Sequence, residues 1–316
     1  MIRLPLSPLR RAFFPAIAIL ALSPLLQSCF TGIESTPKIT AADLRRERVT
    51  VTDEQRLVAD ILPAPFDDWA PGKKFITTDS RICLIFGATA SSLEIPPSSL
   101  LTYRSFDTTV SPTGQPVTNL HFDTPDGSRI TYRVNTSVDE LRKRSYVEVP
   151  YTIQQSLVDS MKSLLKDRQL YITTRLWYDT DRRQVTSRKF IPVTITDVSP
   201  GNATYPLFVS FTDPEGHQFG VFMSAGTTSR GLRNFSEQFS LTDPRRRHAT
   251  VTDEHWQLII QGFVTPGMTR DEVRLSLGSP IDIDRGHDWT STYERWIYDG
   301  GTFLIFEDGV LVTARR

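Results

Sequence analysis

Two hydrophobic periods alternate along this chain. Short runs in which apolar side chains recur at every second position, such as Leu120-His121-Phe122 and Val209-Ser210-Phe211, are bounded by Pro, Gly, Asp and Ser. That pattern predicts short strands joined by tight turns. Between them, Ile153, Leu157, Met161, Leu164 and Leu165 recur at helical spacing, which predicts one amphipathic helix over about residues 152–167 with its apolar stripe in a core. Near the end, Thr269 stands three residues before Glu272, with Gly278 and Pro280 beyond. A capping box that opens a helix over residues 270–277 and a glycine that closes it follow from those four positions. Residues 293–298, 302–307 and 310–313 are rich in aromatic and β-branched side chains and are separated by Asp299-Gly300-Gly301 and Asp308-Gly309. They predict a three-stranded antiparallel meander.

The strand-rich middle repeats itself. Residues 120–127, LHFDTPDG, and 209–216, VSFTDPEG, match at an offset of 89, and Phe75-Ile76-Thr77-Thr78 echoes Tyr171-Ile172-Thr173-Thr174 at an offset of 96. Pro, an acid and Gly in succession specify a tight hairpin whose last residue is left-handed. The expectation is a mainly β chain with α+β character: two tandem small β-barrel-like modules of the Src-homology type, then a C-terminal helix-helix-meander domain. The corresponding division is 1–28, 29–72, 73–150, 151–248 and 249–316. The pentapeptide Thr-Val-Thr-Asp-Glu also occurs twice, at residues 50–54 and 250–254, each time as a threonine cap followed by first-turn acids.

The C-terminal helix and meander, with Gly267-Met268-Thr269 at the entry, Val273 inside, Leu277-Gly278-Ser279-Pro280 at the exit, then Trp296, Tyr298 and the Gly309 hairpin, resemble the SmpA/OmlA (BamE-like) domain. That family supplies the small lipoprotein of the outer-membrane β-barrel assembly machinery. The resemblance covers about a sixth of the chain and implies an α+β fold and a role beside outer-membrane proteins. Over two hundred residues precede it here.

The N-terminus supports an envelope address. A basic start is followed by an apolar run from Ala12 to Leu26, shorter than the roughly 20 residues needed to span a bilayer. Residues 1–28 are therefore expected to be a signal peptide. Leu26-Gln27-Ser28-Cys29 resembles a bacterial lipobox, with Gln27 departing from the usual small or apolar residue, and implies that Cys29 carries lipid. Gly, Ser, Thr and Pro up to Ile39 suit a tether. At 316 residues with 39% hydrophobic and 23% charged positions, the chain can bury a sizeable core. Removing Arg3, Arg10 and Arg11 with the leader leaves 33 basic against 36 acidic residues, a balance that asks for no nucleic acid.

Chemistry-bearing residues are sparse. The five histidines, His121, His217, His248, His255 and His287, show neither metal-ligand spacing nor a nucleophile elbow. Cys83, in the apolar stretch Arg81 to Phe86, reads as a small buried hydrophobe on a strand. Arg245-Arg246-Arg247 reads as a solvated linker, since three charges fall short of the 4–8 in lipid-binding clusters. No catalytic residue, metal, cofactor or small-molecule substrate is expected. The expectation is a non-enzymatic, lipid-anchored envelope protein on the periplasmic side of the outer membrane, with a scaffold or binding role in barrel assembly or envelope integrity. The competing reading is a cell-wall or peptide-binding protein acting through the β-modules. The partner surface is expected on the C-terminal sheet, at Trp296, Ile297, Tyr298 and Phe303, because that sheet carries large apolar groups on both faces and its helices can cover only one.

Overall fold

A computed structural model of the chain describes residues 51–86, 94–225, 233–287 and 292–315, and all structural statements concern these. They are mostly β, forming three antiparallel sheets with few helices. The signal and the lipid site at Cys29 lie outside the described residues. A five-residue helix, α1 (Asp53–Leu57), opens the described chain. Thr52 and Gln55 form its capping box.

The first sheet contains β1 (Lys74–Thr77), β2 (Leu100–Val110), β3 (Pro116–Asp123), β4 (Arg129–Val134) and β5 (Thr152–Gln154), in the order β4-β3-β2-β1-β5. Its core is aromatic. Phe75 and Phe122 meet edge to face at 5.4 Å, and Trp69 lies 4.8 Å from Phe75. Beyond a register shift between Tyr103 and Ser105, the outer half of β2 is exposed, while Val117, Thr118 and Leu120 opposite it on β3 are buried. A short helix, α2 (Val138–Arg142), capped by Ser137, precedes β5.

The second sheet follows α3 (Gln155–Leu165). It contains β6 (Gln169–Ile172), β7 (Leu176–Tyr178), β8 (Gln184–Thr186), β9 (Ile191–Pro200), β10 (Leu207–Thr212), β11 (Gln218–Met223) and, after α4 (Phe235–Gln238), β12 (Phe239–Ser240). The order is β12-β6-β9-β10-β11-β7-β8. The expected closure into barrels does not occur among the described residues: β4 and β5 end the first sheet, and β8 and β12 end the second. The edge strands are too short to complete a ring, β5 having three residues before α3 begins and β12 having two. Gly127 and Gly216 sit at the matching hairpins, with φ of +85° and +88°. Each donates its amide three residues back, to Thr124 and Asp213, the turn that the repeated Pro-acid-Gly motif predicts. The upstream echo falls on β1 and β6. Phe75 pairs with Leu101 in the first sheet, and Tyr171 pairs with Pro192 in the second.

The C-terminal part contains α5 (Pro244–Arg247), α6 (Asp253–Gln261), α7 (Arg270–Leu277) and four strands: β13 (Asp282–His287), β14 (Thr292–Ile297), β15 (Phe303–Glu307) and β16 (Val310–Arg315). The expected meander has three strands; β13 is the addition. Its sequence DIDRGH offers one apolar residue, Ile283, so its alternation is nearly silent. Thr269 and Glu272 form the expected capping box. Gly278 has φ +88° with ψ −169°, outside the left-handed helical well and open essentially to glycine alone.

Three local expectations are corrected. The helix expected from residue 152 starts at Gln155, because Thr152–Gln154 pairs with β1. Cys83 lies in a 3-10 helix, Ser80–Leu84, where the Asp79 carboxylate accepts from the Arg81 amide and starts the turn. The arginine triplet lies in the short helix α5 and not in a linker; Arg246 and Arg247 are exposed as expected, but Arg245 and Arg247 are held. Arg245 reaches Asp253 at 2.8 Å and lies 5.2 Å from the Trp256 ring, while Arg247 donates to Ser240 and Thr242.

Two hydrophobic cores result. One belongs to the first sheet. The other runs continuously from the second sheet through α6 and α7 to the C-terminal sheet, and it also takes in Val58 and α3.

Candidate protein-binding surfaces

Strand alternation divides the C-terminal sheet. Trp296, Leu304, Phe306 and Leu311 point inward, beneath α6 and α7, into contact with the core that holds Met268 and Val273. Trp296 is 0% exposed. Its ring lies 4.5 Å from Phe306, the Arg274 guanidinium covers it at 4.5 Å, and its indole N–H donates to Glu294 at 2.8 Å. Burial acts to raise the Glu294 pKa, but the Trp296 donor and the charges of Arg270 (3.1 Å) and Arg285 (3.5 Å) outweigh it and hold the carboxyl below its ordinary range. The Tyr298 hydroxyl donates to the Gly278 carbonyl at 3.0 Å, and burial pushes its pKa up to about 12.

The opposite face carries Ile297 paired with Phe303, and Arg295 paired with Ile305, with Tyr293 46% exposed at the edge. None of Ile297, Phe303 and Ile305 packs against the main core. Arg295 bonds Asp284 across to β13 at 3.0 Å. The four expected binding residues are therefore not brought together. Trp296 and Tyr298 face the helices, and Ile297 and Phe303 face away. Ile305 belongs with the second pair, and alternation along β15 was the signal for it.

The helix pair is itself pinned to the second sheet. Lys189, buried just before β9, donates from Nζ to the Ser276 carbonyl at 2.8 Å, and its amide donates to the Ile260 carbonyl at 3.0 Å. The neighbouring Phe190 stacks on Trp256 at 5.5 Å. Burial, assisted by the Arg175 charge, lowers the Lys189 pKa to about 8. Ser276 lies in the last turn of α7, where orphan carbonyls attract a cation. His255 on α6 and Glu272 on α7 meet at 3.0 Å. Burial opposes ionisation of Glu272, yet donors from the Thr269 backbone and from His255 prevail and lower its pKa.

A second concave surface lies where the two large sheets adjoin, a cavity of about 420 Å³. One wall is residues 145–149 with Thr152 and Gln154; the other is Asn202, Ala203, Thr204 and Pro206. Phe75, Ile153 and Leu157 contribute apolar surface, and Glu148 is the one charged residue among the described lining. Residues 146–149 have no regular structure but alternate in burial. Val147 and Val149 are buried, while Tyr146 and Glu148 are exposed. No amide of residues 145–149 and no carbonyl of residues 145–148 enters a hydrogen bond with the described protein.

Four of the five histidines have described side chains; that of His287 lies outside them. His121 bridges Asp107 (2.6 Å) and Thr131 (2.9 Å) across the polar face of the first sheet. That row orders three groups in the manner of a nucleophile, base and acid, but it does not line the cavity of about 420 Å³. His217 lies 3.5 Å from Asp213, and His248 stacks on Trp256. Among the described residues, no group of three or more His, Cys, Asp and Glu side chains is arranged to hold a metal, and no helix is long and apolar enough to cross a membrane. Comparison with protein-family models, with curated proteins and with solved structures finds no match for this chain.

Proposed function

We propose that this chain is a non-enzymatic protein of the bacterial cell envelope, lipid-anchored through Cys29 to the periplasmic side of the outer membrane, that binds a protein partner in barrel assembly or envelope integrity. The observation that carries this reading is the outward face of the C-terminal sheet, where the half-buried Ile297, Phe303 and Ile305 lie outside the main core, with Arg295 beside them. Large apolar side chains left outside a core favour a face that a partner covers. The helix pair and meander, with the capped helix over Arg270–Leu277, keep the resemblance to the SmpA/OmlA domain in play as the source of the role.

The two large sheets support a duplicated β-module. Each contains a meander that ends in the matched Gly127 or Gly216 hairpin. In each, a short helix then leads to a strand that returns beside the first, β5 beside β1 and β12 beside β6. The β7–β8 hairpin is the extra element of the second copy.

The test is photo-cross-linking in the intact envelope from Ile297 or Phe303, with Trp296 as the buried control. Recovery of barrel-assembly components from the first two positions alone supports the reading. Cross-links confined to glycan fragments favour a wall-binding role through the β-modules instead. Cys29→Ser should leave the protein soluble or unprocessed; normal maturation with membrane fractionation would place the anchor elsewhere.

A further inference from the structure

We infer that the cavity between the two large sheets takes an extended, basic peptide segment, which pairs as an added strand with residues 145–149. Three observations converge there. First, the amides of five consecutive residues have no hydrogen-bond partner in the described protein, although Val147 and Val149 are buried beside them. Backbone polar groups next to a packed core are ordinarily paired, and a run of unpaired ones is the template to which an extended chain adds. Second, the period-two burial of Tyr146, Val147, Glu148 and Val149 is that of a strand. Its backbone groups therefore recur at the spacing that a second strand meets, which a compact small molecule does not. Third, the about 420 Å³ beside it lies within the range of ligand sites and is bounded on the far side by Ala203, Thr204 and Pro206. Glu148 is the one charged group of the described lining, so a lysine or arginine on the incoming segment is the complementary charge.

The mode of binding sets the specificity. Main-chain pairing supplies affinity that varies little with sequence, and alternate side chains choose among segments. Tyr146 and Glu148, exposed on the same side of the segment, are positioned to make that choice. This inference does not rest on the C-terminal sheet, and either can fail without the other.

The probe is a library of acetylated, amidated decapeptides with one fixed lysine, screened against the mature chain. The tightest binder is then remade with a single N-methyl group at each position in turn. Binding tighter than about 1 mM is expected. N-methylation at every second position should weaken it by about tenfold or more, since only alternate amides of a strand face its neighbour. In the complex, alternate amides among residues 146–149 should exchange hydrogen more slowly. Glu148→Lys should reduce binding by about tenfold with an unchanged melting temperature, because Glu148 is exposed. Ala203→Trp, which fills the cavity from the opposite wall, should abolish binding. The inference is overturned if no decapeptide binds, if N-methylation has no period-two effect, or if the exchange of residues 146–149 is unaltered. It is equally overturned if the chain instead pairs with a second copy of itself along this edge in sedimentation.

Discussion

Trp296 and Ile297 are neighbours in sequence with opposite surroundings, and they make the sharpest residue-level contrast in the molecule. Trp296→Ala removes a fully buried ring and its bond to Glu294, and should cost about 3–5 kcal/mol in chemical denaturation. Ile297→Ala, on the face outside the main core, should cost no more than about 1 kcal/mol. Alternation in the sequence says that the two side chains point apart, but only the packing of α6 and α7 says which one is covered. Lys189 gives a second test. Its folded pKa of about 8 lies below its ordinary 10.5, so between those values the unfolded chain binds more protons and stability rises with pH. The cost of burying the charge is fully present below pH 8 and is relieved on the way to pH 10.5, on the order of 3 kcal/mol over the whole window. The difference in stability between wild type and Lys189→Met, measured from pH 7.5 to 10, should move in favour of wild type. Nothing around Lys189 in the sequence marks it, because its partner, Ser276, lies 87 residues away.

Helix α7 was legible almost residue for residue, since a cap is written within four consecutive positions. Thr269 accepts from the Glu272 amide, and Glu272 accepts in return from the Thr269 amide at 2.7 Å. Thr269→Ala should lower stability by about 1 kcal/mol. The effect should fade as acid protonates Glu272: its folded pKa is depressed, so its contribution exists above the ordinary carboxyl range and disappears as pH falls through the folded value. Melting curves of wild type and variant at pH 7, then at falling pH for as long as both stay folded, check both statements. Strand β13 was not legible, because a single inward residue, Ile283, leaves no period to detect. Closure of the sheets was not legible either. Whether β4 meets β5 depends on edge lengths and strand curvature, neither of which has a local signature.

At the level of the whole molecule, four of the five tryptophans report on the two cores separately, Trp289 lying outside the described residues. Trp69 belongs to the core of the first sheet, whereas Trp177, Trp256 and Trp296 share the other. In a single Trp69→Phe variant the remaining fluorescence should follow the second core and show a denaturant transition distinct from that of hydrogen exchange at the amides of β2 and β3 in the same variant. Coincident transitions would mean that the cores unfold as one. The repeat and the strand-rich character could be read from the chain because turns and alternation are local. The sharing of one core by the second sheet and the C-terminal helices could not, because it joins segments far apart in sequence.

One such junction has a mechanical meaning. Helix α1 packs with the second core, not the first, although the first sheet follows it directly: Leu57 and Ile61 lie against that core. Val58 lies in the core of the second sheet, and the Glu54 carboxylate accepts from the Leu241 amide at 3.0 Å and from the Ser240 hydroxyl at 3.3 Å. The first sheet is thus a loop thrown out between α1 and α3, both rooted in the other core. Tension applied upstream of Val51 is borne at the Glu54 clamp and passes into the body of the second sheet, so the first sheet carries no load until that clamp gives way.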